Sequence, residues 1–371
     1  MSIPERLLLG PGPSNAYPEV LAALGRPLLG HLDPEFLTIL DETSERLRAV
    51  FRTANALTLP LSGTGSAGME ACFVNLVEPG DTVIVGVNGV FGERMCEVAR
   101  RCGAEVIRVE AAWGEPVDPQ ALLDAHATAP HARLVAVVHA ETSTGVRSDV
   151  AELRALRETD TLLIVDTVTG LAGIPVEIDA WGVDACYSGT QKCLGVPPGL
   201  APVTFSERAL ERIRSRGSAP QSWYLDLGLI GDYVGAARKY HHTAPISMVV
   251  ALHAGLGVLL EEGLEASWDR HAAVGGRLQA ELEELGFTLL AREGHRLPQL
   301  TTARLPEGAD EAALRRTMLE RWGIEVGGGL GAFAGTAWRF GLMGHGARER
   351  SVTAVLGAIR ELQASGEMPT G

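Results

Sequence analysis

The chain has 371 residues, more than one hydrophobic core usually organises, so two domains are expected. Hydrophobic residues make up 46% and charged residues 21%, the balance of a soluble globular protein rather than a disordered one. A formal net charge of −14 argues against nucleic acid or an anionic membrane surface as the main partner, and any anionic ligand then needs a local positive site.

The N-terminus, "MSIPERLLLGPGP", places Glu5 and Arg6 before a leucine run that prolines stop, which does not read as a signal peptide. From about residue 55 to 207, short apolar runs alternate with helix-like segments. The runs are "ALTLPL", "TVIVGV", "EVIRVEA", "LVAVVHA", "TLLIVDTV", "ACYSGT" and "APVTF", with amphipathic "ERMCEVARRCG" and "DVAELRALRET" between them. Runs apolar on both faces and separated by helices predict an α/β domain with a mostly parallel sheet. Past residue 245 a long helical pattern runs from about Ser247 to Leu285 and acts as a joint. Its start, "ISMVVALHAGLGVLL", carries His253 and two glycines and falls short of a membrane span. "LPQLTTARLP", the helix "DEAALRRTMLERWG", the Gly-rich "EVGGGLGAFAG", the strand "TAWRFGLMG" and a last helix predict a smaller α+β domain, and the tail "ASGEMPTG" is expected to fray. Cys72, Cys96, Cys102, Cys186 and Cys193 form no CxxC pair and no zinc spacing, which fits reduced thiols in the cytoplasm.

"SGTGSAGMEA" contains Gly63-x-Gly65-x-x-Gly68, the outline of a dinucleotide fingerprint. That motif also needs an acid at the end of the next strand, and "TVIVGVNG" ends in Asn88. What survives is a strand, a small-residue turn and a helix whose first N–H groups can hold a phosphate. "LLIVDTVTG" sets Asp166 at the end of a buried strand, where a carboxylate needs a cation or a protonated nitrogen beside it. Lys192 in "YSGTQKCLGVPPG" follows another strand, so both side chains can reach one edge of the sheet. A carboxylate against a pyridinium nitrogen and a lysine that forms a Schiff base are the two groups pyridoxal phosphate needs.

In this order, "LGPGPSN", "GMEACFVNLVEPGD", "GVNGVFGER", "HAETSTGV", "LIVDTV", "YSGTQKCLGVPPG", "YHHTAP", "GGLG" and "WRFGLMG" cover nearly the whole chain. The series resembles the fold-type I, class V aminotransferases, and most of all the alanine–glyoxylate and serine–pyruvate aminotransferases. The resemblance implies a large domain, 16–262, with a mostly parallel seven-stranded sheet, a small C-terminal α+β domain, 263–371, and an N-terminal segment, 1–15. It implies pyridoxal 5'-phosphate as cofactor, Lys192 as its Schiff-base lysine and Asp166 as the acid on the ring nitrogen. By the same matching, Val168 and Phe91 pack on the ring, Ser143 lies near its phenolic oxygen, and Thr64, Gly65, Ser66 and Gln191 cradle the phosphate. Tyr240 and Thr243 reach that phosphate from a partner subunit, so a homodimer is expected. Arg339 forks onto the substrate carboxylate, with Ser143 and Gly12 beside the substrate. His241 and His242 are expected to point apart as packing residues, and no metal is expected.

The implied reaction moves the amino group of alanine or serine to glyoxylate, with small amino acids and 2-oxo acids as substrates. Ureidoglycine–glyoxylate and pyridoxamine–pyruvate aminotransferases are the nearest alternatives. A cysteine desulfurase-like lyase stands further off, because Phe91 holds the stacking place and no cysteine lies beyond Cys193. Phe91 replaces a common tryptophan and Ser66 a histidine of some relatives, so substrate preference is expected to depend on packing around Phe91 and the stretch from Leu29 to Phe36.

Overall fold

The computed structural model describes residues 3–235 and 237–371. Seven strands form the main sheet: β1 Leu57–Ser62, β2 Thr82–Val87, β3 Glu105–Glu110, β4 Leu134–Val138, β5 Leu162–Asp166, β6 Ala185–Tyr187 and β7 Leu200–Phe205. Their order is β1-β7-β6-β5-β4-β2-β3, and only β7 runs against its neighbours. β2, β4 and β5 are buried at every position, which is why they read as unbroken apolar runs: helices cover both faces. β3 is an edge strand with Glu105, Arg108 and Glu110 on it, and charge protects such an edge from further pairing.

Two cores flank this sheet. One packs Phe36, Leu40 and Leu47 of the helix Pro34–Phe51 against Val249, Leu252 and Leu256; the other packs Met69, Phe73 and Met95 against Tyr187 and Val203. A third core gathers Leu278, Met318, Trp338, Val355 and Leu362 under a four-stranded antiparallel sheet of β8 Thr288–Leu289, β9 Leu300–Arg304, β10 Gly327–Gly328 and β11 Ala337–Gly341. Leu9 belongs to that third core, and Leu7–Leu8 pair in parallel with Ile324–Glu325. Residues 7–9 are therefore stitched to the C-terminal part of the fold.

Several expectations change. The long helix is two, Ile246–Glu262 and Leu264–Glu284, bent by 84°. Gly263 sits at the bend with φ +90°, a conformation that glycine adopts without strain, while the apolar spacing runs on across it and hides the break. "DVAELRALRET" forms a 3-10 helix, Ala151–Glu158, rather than an α-helix. The tail does not fray: Met368 is buried in the third core and its N–H bonds Leu362 O at 3.0 Å. No single helix among the described residues is long and apolar enough to cross a membrane.

Candidate active site

The end of β5 and the turn after β6 bring the first two groups together. Asp166 is the last residue of β5 and is 2% exposed. Burial pushes its carboxyl up to about 7, although the Val168 N–H at 2.7 Å, Tyr187 and Lys192 pull the other way. An acid held there lacks a full cationic partner, and a protonated ring nitrogen is a group that could pair with it. Lys192 lies not at a strand end but in the turn five residues past Tyr187, where Ser14 Oγ donates to its carbonyl at 2.8 Å. Its amine donates to Pro11 O, and burial, followed by the charge of Arg339, brings it down to about 8. A Cβ at Gly12, whose φ is +109°, would lie 2.8 Å from Lys192 Nζ, so only glycine leaves the amine its place.

The turn between β1 and helix α1, Gly65–Leu76, supplies an anion cradle. Thr64 is the N-cap and makes no side-chain cap bond, which leaves its hydroxyl uncommitted to the helix, and the opening N–H groups of Gly65 and Ser66 point out of the helix end. Gly65 packs on Val168: a Cβ there would stand 3.0 Å from Val168 Cγ2. Gln191 Oε1 is buried with no hydrogen-bond partner, an acceptor left for a donor of a ligand rather than for an anion. The geometry therefore fits a ring that carries a phosphate at one end and a nitrogen at the other.

Helix α2, Val90–Arg101, sets Phe91 at its first turn, half-buried, with the Arg94 guanidinium 4.9 Å above the ring. Arg94 Nη1 is 3.5 Å from Ser66 Oγ, which places a positive charge beside the cradle. Ser143 is fully buried: its hydroxyl donates to Glu141 Oε1 at 2.6 Å and accepts from Val90 N at 3.0 Å. Its proton is already committed within the protein. Arg339, on β11, is 8% exposed and donates through Nε to Gly328 O at 2.8 Å and through Nη1 to Thr142 O at 3.4 Å. None of the described carboxylates forms an ion pair with it, and burial lowers its guanidinium to about 10 against the opposing charge of Glu141.

Tyr240 and Thr243 are not brought to this group. Tyr240 is 57% exposed with its ring 5.2 Å from His31, and Thr243 is exposed on the same loop. His241 and His242 do not point apart: their Nδ1 atoms are 2.7 Å from each other, because they sit in a loop free of strand alternation. His241 also stacks on Trp223 at 4.3 Å. Among the described residues, no group of three or more His, Cys, Asp or Glu is arranged to hold a metal ion. Phe36 is fully buried in the core under the helix Ile246–Glu262. Two residues escaped the sequence reading, Glu141 and Arg94. Glu141 lay inside a quoted motif without a role, and Arg94 carried one signal, its spacing of three from Phe91 on a helix.

The profile of the family described as Aminotransferase class-V matches residues 12–340. The chain is 40% identical over 365 residues to the alanine–glyoxylate aminotransferase of Drosophila melanogaster, covering 97% of this chain and 92% of that protein. A crystal structure of an alanine–glyoxylate aminotransferase from Nostoc sp. superposes with a TM-score of 0.95 at 47% identity, covering 98% of this chain and 96% of that one. The ureidoglycine–glyoxylate aminotransferase structure from Bacillus subtilis gives 0.97 at 36% identity, covering 100% and 96%.

Proposed function

The chain belongs to the class-V aminotransferase family, and from that premise we propose that it uses pyridoxal 5'-phosphate to move the amino group of alanine or serine to glyoxylate. The observation that carries the reading is a buried, mutually interacting group: a lysine whose amine is lowered to about 8, a carboxyl raised to about 7, and an arginine with no carboxylate partner among the described residues. Pyridoxal phosphate, when bound, supplies an aldehyde that takes up amines and a ring that stores the electron pair freed at the substrate Cα. Thr64, Gly65, Ser66 and Gln191 would hold the phosphate through helix N–H groups, hydroxyls and an amide N–H, with Arg94 balancing charge. Asp166 would hold the protonated ring nitrogen, and Val168 and Phe91 would pack on the ring.

Lys192 Nζ would be the amine within reach of that aldehyde, and as a free amine it would accept the substrate Cα proton and return it. Arg339 binds the α-carboxylate, which fixes the Cα–H bond relative to Lys192. Gly12 and Ser143 border the same space. Glyoxylate has no side chain, so a cramped pocket admits it.

Tyr240 and Thr243 serve the phosphate of a second subunit in a homodimer. Support comes from the exposed apolar groups Leu28, Leu32, Trp223, Tyr224 and Tyr240, which lie on and around their loop and invite burial. Free, buried cysteines support a reducing cytoplasmic location, and they also disfavour a desulfurase, which needs a mobile cysteine nucleophile. Similarity to the Bacillus subtilis enzyme keeps ureidoglycine as a second donor. Steady-state rates with alanine, serine and ureidoglycine against glyoxylate and pyruvate decide between them. Activity confined to ureidoglycine, or none requiring glyoxylate, overturns the first reading.

A further inference from the structure

We propose that Glu141 is a positioning residue of this site, a carboxylate enclosed within the protein that holds the helix bearing Phe91 and the hydroxyl of Ser143 in one arrangement. The inference rests on the functional reading above. Glu141 is fully buried, and its carboxylate accepts from Phe91 N at 3.1 Å, Ser143 N at 3.0 Å and Ser143 Oγ at 2.6 Å. The Gly92 N–H also faces it. Helix α2 has no side-chain cap of its own, since Gly89 is its N-cap, so a carboxylate from 50 residues away receives its opening N–H groups.

An ordinary cap would be a serine or aspartate at position 89 itself. That position is kept bare for a steric reason: its φ of 172° is extended and open to any residue. A Cβ there would stand 2.6 Å from Glu141 Cδ and strike Ser143 Oγ. The chain has therefore given up a local cap for a remote one that also touches the site. This choice fixes the polarity of Ser143. With its proton directed at Glu141 and one lone pair taken by Val90 N–H, the hydroxyl faces a ligand only as an acceptor.

The same segment reaches the substrate side. Thr142, between Glu141 and Ser143, accepts from Arg339, and the charge of Glu141 opposes that of the guanidinium. Removing the Glu141 charge leaves the arginine's attraction for a carboxylate undiminished while the ring face and Ser143 lose their alignment. The signature is a fall in kcat without a rise in KM, whereas a plain helix cap would change stability alone.

Glutamine in place of Glu141 turns an NH2 group toward at least one set of N–H donors, so the arrangement cannot be rebuilt. The test compares the wild-type protein, Glu141→Gln and Gly89→Ala, each loaded with pyridoxal phosphate. Three readouts serve: the cofactor's visible circular dichroism per bound molecule, its dissociation constant, and kcat and KM for alanine. For Glu141→Gln we expect a dichroic band at least halved, a dissociation constant raised about tenfold, and kcat lowered about ten- to a hundredfold with KM not raised, on the scale of a lost charge-assisted hydrogen bond. Gly89→Ala, which keeps the carboxylate but displaces it, reproduces the dichroic change and carries the test if the glutamine variant does not fold. Wild-type dichroism and kcat in a folded variant overturn the proposal, even if melting temperature drops. A wild-type protein that fails to take up pyridoxal phosphate overturns the functional reading instead.

Discussion

Replacing Arg339 tests the substrate side of the site most directly. Its guanidinium carries five N–H donors, of which Nε serves Gly328 O and one Nη1 hydrogen serves Thr142 O. Three remain, two on Nη2 and one on Nη1, and they form the edge that pairs with a carboxylate through two parallel bonds. The residue is 8% exposed, so water screens this pair weakly. A charge-assisted hydrogen bond in such a setting is worth roughly 1.5–3 kcal/mol. Arg339→Lys keeps a positive charge but loses both the fork and the anchoring to two carbonyls, so we expect kcat/KM for alanine to fall by about ten- to a hundredfold. Arg339→Ala falls further, since two carbonyls lose a partner and the carboxylate has no cation. Alaninamide, which lacks the carboxylate, is hurt far less by either change. The assay is the single-turnover alanine half-reaction followed through the cofactor's absorbance, with cofactor content expected to stay normal. If Arg339→Ala transaminates alanine at the wild-type rate, the carboxylate is bound elsewhere and the reasoning fails.

Three further outcomes are expected. Borohydride reduction of the yellow purified protein should attach the cofactor covalently to Lys192; an adduct on another residue in peptide mass spectrometry, or none, contradicts that role. Tyr240→Phe should weaken cofactor binding without loss of fold, and mixing it with Lys192→Ala should restore activity if Tyr240 acts across subunits. Exchange of subunits without any gain over the separate variants rejects the trans arrangement. Asp166→Asn should abolish transamination yet raise the melting temperature of the cofactor-free protein above pH 7. The sign follows from a carboxyl at about 7 in the fold and 3.8 in the free group: between those values the folded chain holds the extra proton, so stability falls as pH rises, and asparagine removes that loss. An unchanged or lower melting temperature at pH 8 counts against an uncompensated carboxylate.

The sheet was legible because β2, β4 and β5 are apolar at consecutive positions, a pattern that only strands covered on both faces require. Lys192 and Asp166 stood out because a charge after an apolar run is costly without a purpose, and the fold buries both. What the sequence hid depends on long-range meeting. Glu141 meets Phe91 across 50 positions, and nothing in "HAETSTG" announces which helix end its carboxylate will reach. The bend at Gly263 was concealed because helical spacing continues on both sides of it. The two histidines misled for a different reason: adjacent residues point apart in a strand, and these lie in a loop that follows no such rule.

Two buried acids, Asp166 and Glu141, share this site with two buried bases, Lys192 and Arg339. Each pair is split by role. Burial raises both carboxyls, but Glu141 accepts from three N–H or O–H donors of the chain, whereas Asp166 has one backbone donor and is pushed up to about 7. Arg339 at about 10 stays charged under all ordinary conditions, whereas Lys192 at about 8 releases its proton within reach of neutrality. Arg339 is thus the fixed charge of the group, Lys192 the adjustable one assigned to bond making and proton transfer, and Asp166 the acid left to meet a ring nitrogen. A reaction that must free an amine, move one proton and bind a carboxylate throughout calls for this division.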